Sequence, residues 1–200
     1  MTSNLKSQSL DDLLTHAEQY AGFNLRCRGV LPGTLFLVGP KGPAVFMPSA
    51  LTTEAAKDAF ASDARLLSTA HGATAAVMAL EAWARMAEPG VPLDPNQRPS
   101  QSPDRREVVT LVGETAGRYQ VRVLPILRDA AGVFTGFGVA NVHRCDHIEG
   151  RFAQLLPAQP PTAAEQARAQ VELRARGIVM AGPAAPKQSV RSGPRQGFSC

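Results

Sequence analysis

The chain has 200 residues, of which 44% are hydrophobic and 19% are charged, and its formal net charge is +4. This length suits one domain whose core folds without disulfide bonds or a structural metal. The basic surplus lies in residues 158–200, because residues 1–157 hold fifteen basic and fifteen acidic side chains. Electrostatic attraction to an acidic partner is therefore expected from the C-terminal part.

The sequence contains no sign of export or membrane insertion. Its first residues lack the basic start and continuous apolar core of a signal peptide, and no segment approaches the roughly 18 apolar residues of a spanning helix. The three cysteines, Cys27, Cys145 and Cys200, are odd in number and far apart. Such a set fits a reducing compartment better than a disulfide framework. We therefore expect a cytoplasmic protein.

The N-terminal part predicts a helix followed by a hairpin. Ser9 can cap a helix over residues 10–21, with Asp12 at the third position of a capping box. Apolar side chains recur along this segment at helical spacing. Two apolar runs then flank a Gly-Pro-Lys-Gly turn, which predicts a β-hairpin with strands over 34–38 and 44–47.

A second helix and an ambiguous apolar run follow. Thr52 or Thr53 opens a helix that ends at His71-Gly72, and its apolar side chains form one stripe. We interpret residues 73–84 as a strand, since a short apolar run after a glycine suits a buried strand. The competing prediction is one continuous helix over 53–85, which would carry Gly72 internally at a cost of about 1 kcal/mol.

Three later runs predict an antiparallel meander. They begin at Arg106, Arg118 and Val133 and are separated by short turns. In the second run apolar and polar residues alternate, which is typical of a strand with one wet face. Pro125 has no N–H for a neighbouring strand, so it implies an edge position or a bulge.

Residues 1–157 are thus predicted to form a single α+β domain, in which a largely antiparallel sheet of hairpin and meander is packed by two helices on one side. Residues 158–200 are predicted to be a tail rich in Pro, Ala and Arg. A capping box precedes a short helix over 163–176, which buries little because its apolar residues are mainly alanine. From Gly182 onward too few large apolar residues remain to offset the entropy of ordering, which predicts disorder.

The stretch from Arg98 to Val109 gathers charged residues ahead of a strand. Asp104 or Glu107 could act as a base or a metal ligand, and the two arginines between them could grip a phosphate. The structural alternative is that prolines set the path of the loop while the charges form exposed ion pairs. We favour this alternative, because acid–base catalysis needs a cleft with supporting groups that the sequence does not identify.

The order Glu81-Ala82-Trp83, Pro99-Ser100, Pro103-Asp104-Arg105 and Glu107, ahead of an apolar strand, resembles a pattern in uncharacterised bacterial and phage-related proteins. The resemblance covers about residues 76–111. It implies a microbial origin and brings neither an activity nor a catalytic residue. Trp83 is expected to pack the loop against the sheet, the commoner role of a lone tryptophan.

The motif His143-Arg144-Cys145-Asp146-His147 has the sharpest chemical spacing. Alternate residues of an extended segment share a face, so two of the three ligand-type side chains could reach one zinc ion, and all three with a local bend. A second ligand pair is missing nearby, so the alternative is a set of polar residues closing a strand. Cys145 could also be a nucleophile beside either histidine, which adds it to the catalytic candidates.

Two further patterns are weaker. Glu81 and Glu114 could meet across strands as a carboxylate pair, although each is more simply a solvated strand residue. Basic residues of the tail, spaced among Pro, Gly and Ser, could contact nucleic acid or a protein partner. The candidates are Arg174, Arg176, Lys187, Arg191 and Arg195.

No complete catalytic or cofactor signature emerges. The sequence therefore predicts a non-catalytic cytoplasmic accessory protein, from a phage or a mobile element, that binds a macromolecular partner, first of all a protein. One alternative is nucleic-acid binding through the basic tail. The other is a metal-dependent enzyme or zinc module at His143, Cys145 and His147, with zinc as the only cofactor that the sequence suggests.

Overall fold

The computed structural model describes residues 9–48, 51–85, 97 and 99–179. The α-helices of this part are α1 Leu10–Arg28, α2 Glu54–His71 and α3 Ala163–Ala175. The strands are β1 Thr34–Gly39, β2 Gly42–Phe46, β3 Ala75–Ala84, β4 Arg106–Thr115, β5 Arg118–Arg128, β6 Phe134–Phe137 and β7 Asn141–Cys145. Within the described residues, no helix has both the length and the apolar character needed to cross a bilayer.

The strands form one antiparallel sheet in the order β2-β1-β3-β4-β5-β6, and β7 also pairs with β5. This arrangement confirms the α+β class, the hairpin and the meander. The run over 73–84 is a strand and does not continue the preceding helix. Gly72 ends α2 in a left-handed conformation with φ 65°, which a glycine adopts without strain.

Pro125 lies at a break in strand pairing and not at a sheet edge. β7 pairs with residues 119–123 of β5, and β6 pairs with residues 126–128. The amide of Gly138 donates to the Pro125 carbonyl at 2.8 Å. Since the amide and carbonyl of a strand residue point the same way, the missing N–H of Pro125 faces the junction between the two partner strands.

Helices cover both faces of the sheet, which corrects the expectation that two helices lie on one side. α1 packs on one face, the α1 face, together with Val77 and Leu111. α2 and α3 pack on the other, the α2 face, together with Leu37 and Met78. β3 contributes to both cores because its residues are apolar on both sides, and an unbroken apolar run is typical of a strand buried on both faces.

The C-terminal helix is part of the packed structure. α3 lies against α2, and its Ala169 and Leu173 are almost fully buried in the core on the α2 face. Arg176, at its C-terminal cap, pairs with Asp63 of α2 at 2.7 Å. The expectation that this helix buries little is therefore corrected, because one leucine and one alanine four positions apart both face α2. Residues 180–200, to which the prediction of disorder applied, lie outside the described residues.

Two charged side chains hold the segment that leads from β7 to α3. The guanidinium of Arg65 donates to three backbone carbonyls of residues 151–154, at 2.9, 2.9 and 3.2 Å. From the sheet, the Glu114 carboxyl group accepts the amide of Leu155 at 2.7 Å and that of Leu156 at 3.3 Å. Hydrogen bonds to charged groups are among the stronger ones in proteins, so this segment is fixed from both sides.

Truncation of Leu173 tests whether α3 belongs to the cooperative fold. We expect Leu173→Ala to lower the free energy of unfolding by about 2–5 kcal/mol, because the substitution opens a cavity in the core on the α2 face. The control, Val171→Ala, removes a side chain that is 65% exposed on the same helix and should change stability by less than about 0.5 kcal/mol. Urea denaturation measures both; equal effects would show that α3 is not part of the folding unit.

Glu114 should make stability depend on pH. Burial raises the pKa of its carboxyl group in the folded chain above the ordinary value. The fold therefore holds the proton more tightly than the unfolded chain does, and the free energy of unfolding falls as pH rises through this raised pKa. Glu114→Gln removes the ionisable group, so the free energy of unfolding of the variant should not show this decrease as pH rises. Denaturation of both proteins between about pH 4 and pH 8 checks it, and a stability difference that stays constant with pH would contradict it.

Candidate functional site

Three charged side chains meet where the apolar α1 face of the sheet ends. Glu81 on β3, Glu107 on β4 and Arg128 on β5 each continue a row of buried apolar residues at alternate strand positions. Antiparallel pairing brings these three strand ends together. Arg128 donates to both carboxylate oxygens of Glu107, at 2.6 Å and 2.8 Å. This two-bond geometry is the strong form of an arginine–carboxylate pair.

Glu81 and Glu107 are diagonal neighbours on the paired strands β3 and β4, and their environments shift their pKa values in opposite directions. Burial, followed by the neighbouring Glu107, raises the pKa of Glu81. The hydrogen bonds from Arg128 lower the pKa of Glu107. Arg128 therefore favours the ionised form of Glu107, whereas burial disfavours the ionised form of Glu81.

The same group fixes two connecting segments beside the strand ends. The Leu31 amide donates to Glu81 Oε2 at 2.9 Å, which ties the loop after α1 to β3. Arg128 donates to the carbonyl of Gly132 at 3.2 Å and makes a longer contact of 3.5 Å with that of Gly29. The loop after α1 and the turn after β5 are therefore both attached to the three charged residues.

Trp83 lies on the same face, two residues beyond Glu81, and its side chain is 47% exposed. The guanidinium carbon of Arg105 lies 4.9 Å from the centre of the Trp83 ring, within the range of a cation–π contact. Arg105 also donates to the carbonyl of Ser100 at 3.4 Å. The tryptophan thus contacts the loop before β4, as expected, but about half of it stays in water.

Two exposed apolar residues lie in the segments that Glu81 and Arg128 hold at this end of the sheet. Val30 is 54% exposed and lies between Gly29, which Arg128 contacts, and Leu31, whose amide donates to Glu81. Val133 is 57% exposed and follows Gly132, whose carbonyl accepts from Arg128. We call this region the Trp83 surface. It consists of Arg28, Val30, Trp83, Arg105 and Val133.

The predicted catalytic candidates do not come together. Asp104 is exposed in the turn before β4, where its backbone amide donates to Ser102 Oγ at 3.3 Å. Glu107 belongs to the pair with Arg128. Cys145 lies opposite Tyr119, at the start of β5. Glu107 lies on β4 and bonds Arg128 at the other end of β5, so the two candidates are far apart along the sheet.

The zinc motif lies at the edge of the sheet. His143 and Cys145 are on β7, and His147 follows it with Nε2 3.5 Å from the carboxylate of Glu149. Across the described part of the chain, no group of three or more His, Cys, Asp or Glu side chains is placed to hold a metal ion. The zinc prediction therefore gains no support. Cys145 is a free thiol.

Glu81 and Glu114 do not form a pair. Glu81 lies opposite Val109 and Glu114 lies opposite Ala76, on different faces of the sheet. Both carboxyl groups instead accept backbone amides of connecting segments. The interpretation of each as a solvated strand residue is corrected as well, because Glu114 is only 4% exposed and Glu81 is half-buried.

The basic candidates of the C-terminal part have different environments. Arg176 is engaged by Asp63 and Glu172. Arg174 is exposed in the last turn of α3. Lys187, Arg191 and Arg195 lie outside the described residues, and nucleic-acid binding by the tail stays a prediction.

The sequence reading missed Arg128, Val30 and Val133 as members of a site. One signal was present for Arg128. Leu124, Ile126 and Arg128 occupy alternate positions, so the arginine had to lie on the buried face of the strand. Charged residues that end a buried row need partners, and Glu107 shows the same pattern on the neighbouring strand.

No protein-family model matches the chain, and neither the curated proteins nor the solved structures contain a significant match. The resemblance of residues 76–111 to bacterial and phage-related proteins therefore stays a prediction. Function has to be inferred from the geometry of the chain itself.

Loss of Arg128 tests the charged group. Arg128→Ala leaves Glu107 half-buried without its cation, so we expect the free energy of unfolding to fall by about 1–3 kcal/mol at neutral pH. Glu107 has a lowered pKa, so the stabilisation is present above the ordinary glutamate pKa and is lost as pH falls through the lowered one. The cost of the substitution should therefore shrink in acid. Arg28→Ala is the exposed control, and an equal cost for both variants in urea denaturation would rule out the proposed role of Arg128.

Proposed function

We propose that this chain is a non-catalytic interaction protein that binds a protein partner through the Trp83 surface. The observation that carries the proposal is a large aromatic side chain, 47% exposed, with an arginine stacked at 4.9 Å on a fixed strand end. Tryptophan and arginine are the residue types most enriched among side chains that dominate binding energy at protein interfaces. Leaving half of a tryptophan in water forgoes burial energy that a partner would supply.

The surroundings of Trp83 support a binding role. Val30 and Val133 add exposed apolar area at the same end of the sheet, and both lie in segments that hydrogen bonds attach to Glu81 and Arg128. A surface whose backbone is already held in place loses little conformational entropy when a partner binds. The Trp83 surface is therefore suited to recognition without prior rearrangement.

The acid pair supports a binding role over a catalytic one. Glu107 is engaged by two bonds from Arg128, and Glu81 accepts the Leu31 amide. A general base needs a lone pair that is free to face its substrate. In this group the carboxyl oxygens serve the fold, so the function proposed for the chain needs no reaction at Glu107 or Asp104.

The proposal is tested by capture with matched baits from cells that encode the protein. We expect a defined protein to be retained by the wild type and by Val171→Ala, and to be lost with Trp83→Ala. Val171 is a suitable control because it is 65% exposed on α3, away from the strand ends. Thermal melts should show that both variants remain folded. An identical set of proteins on all three baits, or no retained protein, would overturn the proposal.

A further inference from the structure

We infer that the partner presents an acidic segment to the Trp83 surface, with an aliphatic or aromatic side chain next to its carboxylates; this inference rests on the proposed function. At this end of the sheet some charged groups are already paired within the fold and others are not. This distribution of charge identifies the chemistry of the partner, which the exposure of Trp83 alone does not.

Exposed arginines without partners belong to the Trp83 surface or lie beside it. Arg26 and Arg28 lie in the last turn of α1. Among the described residues, Arg26 and Arg28 make no hydrogen bond or ion pair. Arg105 covers the Trp83 ring and bonds only a backbone carbonyl. Three positive charges are thus available to a partner at this end of the sheet.

Among the described residues of the same region, the carboxylates are largely engaged. Glu107 pairs with Arg128, and Glu81 holds the Leu31 amide. The Asp129 carboxylate accepts two backbone amides of its own turn, each at 2.9 Å. Asp104 remains as an exposed carboxylate. The unpaired charges of these described residues are therefore mainly positive, even though their formal charges nearly balance.

The cations near the N-terminal end of α2 are neutralised within the fold. Arg151 bonds Glu54 and Asp58 at 2.6 Å each, and Lys57 bonds Glu54 at 2.7 Å. The N-terminal end of α2 thus presents no comparable surplus. Complementary charge favours partner selection and fast association more than raw affinity, so an acidic segment is the partner that this distribution would select.

A protein segment fits this surface better than nucleic acid does. Base stacking needs open aromatic faces, and Arg105 already covers one face of Trp83. Val30 and Val133 add aliphatic area that favours apolar side chains, whereas Asp104 and Asp129 disfavour a continuous phosphate backbone. Acidic residues beside one apolar side chain satisfy both kinds of contact.

The probe is a random dodecapeptide library displayed on phage, selected on the full-length protein at low salt. Trp83 is the single tryptophan of the chain, so its fluorescence reports binding at the surface when tryptophan-free peptides from the selection are titrated. We expect the recovered peptides to be rich in Asp and Glu around a Leu or Phe. Their affinity should fall several-fold between about 50 mM and 300 mM salt, as screening predicts for exposed charges.

Two double variants separate the local charge from the total charge. Arg26→Ala with Arg28→Ala should weaken the binding of a selected peptide by about tenfold, since two charge contacts are lost. Arg118→Ala with Arg174→Ala removes the same charge from exposed arginines at the start of β5 and on α3, and should change the affinity less than about twofold.

The possible failures are distinguishable. Recovered peptides that lack acidic residues but still require Trp83 would overturn the inference and leave the proposed function standing. Peptides recovered equally well by Trp83→Ala would overturn the proposed function. Failure to recover any peptide would overturn the inference of an acidic linear segment. Tighter binding of a twenty-residue oligothymidylate than of the selected peptides would replace it with nucleic-acid recognition.

Discussion

The need to cover β3 on both faces determines the rest of the architecture. Its alternate residues enter two separate cores, so one helix must lie on each side of the sheet. α1 comes close enough because β4 carries Gly113, where a Cβ would lie 3.0 Å from Leu10 and 3.1 Å from Leu14. With α1 in this position its C-terminal end reaches the ends of β3, β4 and β5. The candidate site therefore arises from the way the sheet is covered.

Charged residues at the margins of these cores hold the backbone of connecting segments. Glu81 and Arg128 bind the loops beside the α1 face, and Glu114 and Arg65 bind the segment that leads to α3. A half-buried charge is tolerated where hydrogen bonds replace the water that it loses. Among the described residues at these strand ends, most carboxylates accept hydrogen bonds within the fold, whereas several arginines donate none. These internal bonds hold the strand ends in place and leave mainly positive charges unpaired.

The individual elements were largely predictable, and the candidate site was predictable only in part. Ser9 and Thr53 cap their helices as the sequence indicates, because a cap is a contact between residues three apart. Glu107, Trp83 and Arg105 were recognised as neighbours of a strand start. Their grouping with a residue from β5 was not, since it depends on the register of two strand pairs and on the path of the loop after α1.

The sequence by itself determined which segments form helices and strands and where the helices begin, since capping and periodicity act over a few residues. The predicted end of the first helix at residue 21 was wrong, because α1 continues through Gly22 to Arg28. Only the tertiary structure decided which face each helix covers and that α3 belongs to the core. A single Leu173 gives too weak a local signal for that, and its burial depends on the position of α2. The tertiary structure also decided which charges are paired. Glu81 and Glu114 look alike in the sequence, but the sheet places them on opposite faces with different amides to bind, because contacts between distant segments are set by packing and not by spacing.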